Sequence, residues 1–268
     1  MAFSEVYFYS KVLQMDTGIH VILPEGRQGI GLEGEEKHSV SYPVLWLLHG
    51  RSDDHTIWMR RTSIERYAAP LGLAVIMPDG GYSRYLNMAH GQRYYDFIAE
   101  ELPDICRRIF PKISGKREDN YIAGLSMGGG GAAYIGLKNP DKYSHIGILS
   151  TGGAIPIEQL WRDTKKDKKF NIEIYGVEDT AELTGGKYDL LELIRDLSRK
   201  EVPLPHVFHA MGTEDNRYAA AGPIRETFES LEGNPFQYEF HEGPGAHEWG
   251  FWDRWIQAFL ATLPLKGE

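Results

Sequence analysis

Five short, predominantly apolar runs recur along this chain, separated by stretches with helical periodicity. That alternation constrains the fold more than any other feature. The runs are Val44–Leu48, Leu73–Met77, Tyr121–Ala123, Ile146–Leu149 and Val207–Ala210. A strand that is apolar on both faces needs cover on both faces, so such runs belong to a mostly parallel central sheet between layers of helix. Tyr94, Phe97, Ile98, Glu101, Leu102, Ile105 and Ile109 fall at helical spacing. So do Leu190, Leu191, Ile194 and Leu197, and later Trp252, Trp255, Ile256, Phe259 and Leu260. The amino-terminal end reads differently. Val6, Phe8 and Ser10 alternate with Tyr7, Tyr9 and Lys11, which predicts a half-buried strand, and a second strand is expected over Ile19–Leu23. These two and the next strand are expected to form an antiparallel edge. No repeat or long linker divides the 268 residues, so a single domain over 1–268 is expected, with 155–188 as a small cap or rim.

Composition narrows the function. Apolar residues are 42 % and charged residues 25 %, as in ordinary globular proteins, and the net charge is -9. Phosphate binding needs a basic face, so no nucleic acid and no anionic membrane is expected as a partner. No apolar run approaches the roughly 18 residues of a membrane helix. The start lacks a basic, apolar leader pattern, so the expected location is cytoplasmic. A lone cysteine, Cys106, excludes an internal disulfide and a Cys-rich zinc site. It reads as a small buried hydrophobe on a helix. Gly29-Ile-Gly31-Leu-Glu-Gly34 matches a dinucleotide fingerprint as a string, but no helix follows to present a positive end to a phosphate. The basic run Lys165–Lys169 reads as solvated surface. No metal and no cofactor is expected.

In open parallel sheets, ligands bind beyond the carboxyl ends of the strands. Three segments there carry chemistry. Gly124-x-Ser126-x-Gly128 follows a short strand and opens a helical stretch that stops at Asn139-Pro140. A serine on so sharp a turn has a strained backbone and needs small neighbours, and the turn aims the next N–H groups at a developing oxyanion. Ser126 is therefore the candidate nucleophile. His49-Gly50-Arg51 follows the first buried strand, and Gly50 lets the main chain approach a ligand closely. The N–H groups of Arg51 and Met127 are the expected oxyanion donors, with His49 ordering the loop. Asp215, in Gly212-Thr-Glu-Asp215, lies past a strand end as a triad acid should. Glu214 is one residue off and Asp179 is a rival. His247, in Gly243-Pro-Gly-Ala-His247, precedes the last helix, and the order Ser126, Asp215, His247 is that of an α/β-hydrolase. His206 and His209 are three apart on a strand and face opposite sides. His20, His38, His55, His90, His145 and His241 have no partner legible in the sequence.

With these elements placed, the chain resembles the esterase D superfamily of α/β-hydrolases, and within it the bacterial tributyrin esterases. Val44-Leu-Trp-Leu-Leu-His-Gly50, Trp58 with Arg61-Thr62, Glu101-Leu-Pro103, Ile122-Ala-Gly-Leu-Ser-Met-Gly-Gly129, Gly212-Thr-Glu-Asp215 and His247-Glu-Trp249 carry the likeness. The resemblance implies an α/β-hydrolase fold, a Ser126–His247–Asp215 triad and oxyanion N–H groups from Met127 and Arg51. Relatives are S-formylglutathione hydrolases, feruloyl and acetyl-xylan esterases, and mycolyltransferases. Relatives often carry an apolar residue where Arg51 stands, which leaves the acyl preference open.

The expected activity is hydrolysis of small-molecule, short-chain acyl esters through an acyl-enzyme. The alternatives are a feruloyl or acetyl-xylan esterase acting on plant-cell-wall fragments and, from another class, a non-catalytic hydrolase-fold binding protein. S-formylglutathione is a weaker fit, because no glutathione-recognition feature is evident. Gly50, Trp161 and Tyr175 are the candidate substrate-binding residues, the two aromatics as stacking faces. A homo-oligomer through the amino-terminal edge strands is a further expectation.

Overall fold

The computed structural model describes residues 1–24, 41–151 and 165–265. Eight strands form one sheet: β1 (Ala2–Ser10), β2 (Met15–Leu23), β3 (Val44–Leu48), β4 (Ala74–Pro78), β5 (Asn120–Leu125), β6 (His145–Leu149), β7 (His206–Gly212) and β8 (Glu239–Gly243). Their spatial order is β1-β2-β4-β3-β5-β6-β7-β8. β1 pairs with β2, and β2 with β4, antiparallel; every later pairing is parallel. The helices are α1 (Ile57–Arg61), α2 (Ile64–Ala68), α3 (Tyr94–Asp96), α4 (Leu102–Ile109), α5 (Met127–Lys138), α6 (Lys165–Tyr175), α7 (Leu190–Ser198), α8 (Gly222–Glu229) and α9 (Trp249–Thr262). This is the α/β-hydrolase fold.

Period-two alternation sorts each central strand into two cores. Val44, Trp46 and Leu48 of β3 pack on one face with residues of α4, α5, α7 and α8. Leu45 and Leu47 pack on the other, against α1, α2 and α9. Each such side chain, fully buried, contributes roughly 1.5–3 kcal/mol of transfer free energy. The helix expected from Tyr94 onward forms, with one π-helical turn over Phe97–Glu101. Pro103 cannot donate to the Ala99 carbonyl four residues back, and Lys142 Nζ takes that carbonyl at 3.1 Å. Cys106 is buried, and desolvation pushes its thiol up to about 12, which makes it inert.

Two sequence expectations change. The antiparallel edge joins β2 to β4 and not to β3, the next strand in the chain, because β3 takes a place between β4 and β5. β8, unforeseen, is the far edge. Its Glu-Phe-His-Glu-Gly sequence is only half-buried and carries no apolar run. Among the described residues, no helix is long and apolar enough to cross a membrane.

Candidate active site

The three candidate residues lie beyond the carboxyl ends of β5, β7 and β8 and meet. β5 runs directly into α5 through Ser126, whose φ of 51° and ψ of −115° lie far from the ordinary helix and strand wells. The turn is tight because both flanking glycines are pressed into contact. A Cβ on Gly124 would sit 2.5 Å from the Gly128 carbonyl, and one on Gly128 2.5 Å from the carbonyl oxygens of Leu48 and His49. Main-chain bonds from Ser126 N to the Leu149 carbonyl (2.8 Å) and from Gly130 N to the Ser126 carbonyl (3.2 Å) fix the elbow. The Thr151 hydroxyl donates to that same Ser126 carbonyl at 2.7 Å.

His247 reaches Ser126 from the loop after β8. Its Nε2 lies 2.9 Å from Ser126 Oγ and its Nδ1 2.7 Å from Asp215 Oδ2. Those partners assign Nδ1–H as the donor to Asp215 and leave Nε2 to accept from the serine hydroxyl. The loop is placed by the end of β7. A Cβ on Gly212 would come within 2.1 Å of the Gly245 carbonyl oxygen, so the two segments touch main chain to main chain. Thr213 N donates to the Gly243 carbonyl (2.9 Å) and Glu214 N to the Gly245 carbonyl (3.1 Å). The His247 ring also stands edge-on to Trp252 of α9, 5.0 Å between centroids.

The Asp215 side chain is fully buried. Burial raises its pKa, but the hydrogen bonds from His247 and from Arg217 N (2.8 Å) outweigh it and hold the carboxyl below the usual range. The rival acids fall away: Asp215, not Asp179 or Glu214, is the carboxylate bonded to His247.

The loop after β3 is locked at several points. His49 Nδ1 bonds the Gly50 carbonyl at 2.7 Å and Nε2 accepts from Gly80 N at 2.8 Å, so His49 orders the loop as expected. Tyr85 Oη donates to the His49 carbonyl (2.9 Å) and Trp58 Nε1 to the Leu48 carbonyl (3.0 Å). Leu48 is the register partner of Gly124, so the strand ends leading to Arg51 and to Ser126 lie side by side. Met127 opens α5, where first-turn N–H groups have no intrahelical acceptor. The Arg51 guanidinium stacks over Tyr82 (4.5 Å) and Phe170 (4.9 Å).

Sequence reasoning missed Arg217. Its Nη1 donates to Ser126 Oγ at 3.3 Å, while its main-chain N–H holds Asp215. Nothing in the spacing of Arg217 points its side chain back across the site. Tyr175 is buried in a satellite cluster with Leu86, Tyr134, Phe170 and Ile174, and the Arg84 guanidinium lies 5.8 Å over its ring. Trp161 and the glycines 29–34 lie outside the described residues.

A strained serine, an imidazole on its hydroxyl and a buried carboxylate behind the imidazole, at the strand ends of this sheet, define a hydrolase of the α/β class. The sequence model of the family described as "Putative esterase" matches residues 10–265, and the chain belongs to that family. It is similar to Staphylococcus aureus FphF, a fluorophosphonate-binding serine hydrolase, at 32% identity and a TM-score of 0.83 with 99% of each chain covered. The S. aureus S-formylglutathione hydrolase FrmB is 31% identical, with 99% of each chain covered and a TM-score of 0.81. An acetyl esterase of Caldicellulosiruptor saccharolyticus is 28% identical over 263 residues, 96% of each protein. The resemblance to the esterase D superfamily is thereby borne out, and the chain is a carboxylic ester hydrolase.

Proposed function

We propose that this esterase hydrolyses short-chain acyl esters, acetyl esters foremost, through an acyl-enzyme on Ser126. One observation carries the reading: His247 bridges Ser126 Oγ at 2.9 Å and Asp215 at 2.7 Å, the geometry of a general base already oriented by its acid. Neutral His247 takes the hydroxyl proton through Nε2 as Oγ attacks the ester carbonyl. Asp215, held ionised, stabilises the imidazolium. The tetrahedral oxyanion is received by the N–H groups of Met127 and Arg51, each such donor contributing about 3 kcal/mol to the transition state. His247 then gives its proton to the departing alkoxide. Water, deprotonated by the same imidazole, attacks the acyl-serine, and collapse of the second tetrahedral intermediate releases the carboxylic acid and restores the hydroxyl.

The short acyl preference draws support from the similar acetyl esterase and from Arg217, whose guanidinium occupies one flank of Oγ at 3.3 Å. Gly50 is pressed against protein rather than left open to substrate: a Cβ there would come within 2.6 Å of Leu125 Cδ1. Tyr175, buried beside Leu86 and Tyr134, is given no stacking role toward substrate. The test is a p-nitrophenyl ester series run with Ser126→Ala and with a fluorophosphonate label. The reading expects kcat/KM to peak at acetate or propionate and the label to require Ser126. Labelling or turnover that survives Ser126→Ala would overturn it.

A further inference from the structure

A second histidine–carboxylate cluster lies away from the strand-end site, where the β1–β2 hairpin meets the loop between β3 and α1. Glu5 on β1 is the direct cross-strand partner of His20 on β2. His55, from the loop, packs its ring against the hairpin at Gly18. A Cβ there would come within 2.9 Å of His55 Cε1 and Nε2, so glycine is what lets the ring approach. The two imidazoles stand edge to face, 5.0 Å between centroids, walled by Phe3 and Tyr7.

The nitrogens converge on one oxygen. His20 Nε2 and His55 Nε2 each lie 3.6 Å from Glu5 Oε1, beyond a hydrogen bond. One donor atom from each of the three residues fits within 4.8 Å of the others, and this is the one such group found among the described residues. His55 Nδ1, His55 Nε2 and His20 Nδ1 are buried with no hydrogen-bond partner among those residues. Of these, His55 Nε2 is the orphan that faces Glu5 Oε1, and a buried imidazole nitrogen is normally satisfied, so this one calls for a ligand. Tetrahedral ligands about 2.1 Å from a zinc ion are about 3.4 Å apart, close to the 3.6 Å seen.

We propose that Glu5, His20 and His55 form a binding site for a divalent transition-metal ion, zinc foremost, with water completing the coordination. The Tyr7 hydroxyl donates to Glu5 Oε1 at 2.7 Å and orients that carboxyl. Imidazole with carboxylate, and no thiolate, selects zinc, copper or nickel over calcium or magnesium. Asp54 adds a carboxylate beside His55, with its own Oδ1 held by Thr56 N at 2.9 Å. Glu5 is the outward-facing ligand, which gives the ion a way in. An ion here would tie the edge hairpin to the loop that also carries Gly50 and Arg51.

The test uses full-length enzyme without a histidine tag, stripped with a chelator. Co2+ is titrated and read by the visible d–d absorption of a tetrahedral centre, then displaced with Zn2+. The expected result is one equivalent bound with micromolar affinity, and a Tm raised by about 5 °C at 100 times the zinc Kd. Glu5→Gln and His55→Ala each weaken Co2+ binding at least tenfold, whereas His241→Ala does not. Glu5 is exposed, so Glu5→Gln remains decisive should His55→Ala fail to fold. Wild-type enzyme that binds no Co2+ overturns the site, and so does wild-type affinity in either Glu5→Gln or His55→Ala.

Discussion

Two places in this molecule bring imidazole to carboxylate, and they are built differently. At the strand-end site, one histidine meets one acid at 2.7 Å and its other nitrogen is occupied by Ser126 at 2.9 Å. At the amino-terminal edge, two histidines share one acid at 3.6 Å and keep unsatisfied nitrogens. A histidine whose two nitrogens both have partners has a fixed tautomer and a proton route, which is what acid–base chemistry needs. Histidines that each turn one nitrogen toward a shared carboxylate oxygen without bonding to it are spaced as ligands around an ion would be.

The contrast breaks most visibly at Ser126. Ser126→Ala is expected to lower kcat on p-nitrophenyl acetate by at least about 10^4-fold with an unchanged melting curve, measured by initial rates beside circular dichroism. Asp215→Asn comes next. It presents an amide that cannot both accept from Nδ1–H and stabilise imidazolium, so kcat is expected to drop by roughly 10^3- to 10^4-fold with KM little changed. A smaller effect, on stability, belongs to the other cluster. Gly18→Ala puts a methyl against the His55 and Tyr7 rings and is expected to cost about 1–3 kcal/mol in denaturant unfolding. The smallest concerns histidines of the sheet that serve neither place. Burial lowers the pKa of His209 to about 3 and of His145 to about 4. Their unfolded forms take up protons below about pH 6.5, so each withdraws roughly 1.4 kcal/mol of stability per pH unit from there down toward its folded pKa. Thermal melts from pH 7 to 5 should show a gentler slope in His209→Gln than in wild type; equal slopes would refute the assignment.

What the sequence could show depended on how local the signal was. Ser126, Asp215 and His247 each sit in a short motif tied to a strand end, and all three were legible. The doubly buried strands were legible because their runs are apolar but for His209. β8 was not, since an edge strand with two glutamates and a histidine in five residues carries no such run. The insertion of β4 between β2 and β3 is a matter of spatial order, which periodicity does not encode. Neither does chain spacing reveal that Arg217 reaches back to Ser126, or that Glu5, His20 and His55, fifty residues apart at their extremes, share one corner. The first is set by where a long side chain turns, the second by the antiparallel register that places Glu5 opposite His20. Tyr175 looked like an open aromatic face; α6 packs it inward against Leu86 and Tyr134.

The ladder between Thr213–Glu214 and Gly243–Gly245 has a consequence for motion. It joins the stretch bearing Asp215 to the stretch bearing His247 through peptide groups alone. On the proposed mechanism, this ladder couples the positions of acid and base. Substitutions lining the mouth can then retune which ester enters without loosening the proton couple beneath it.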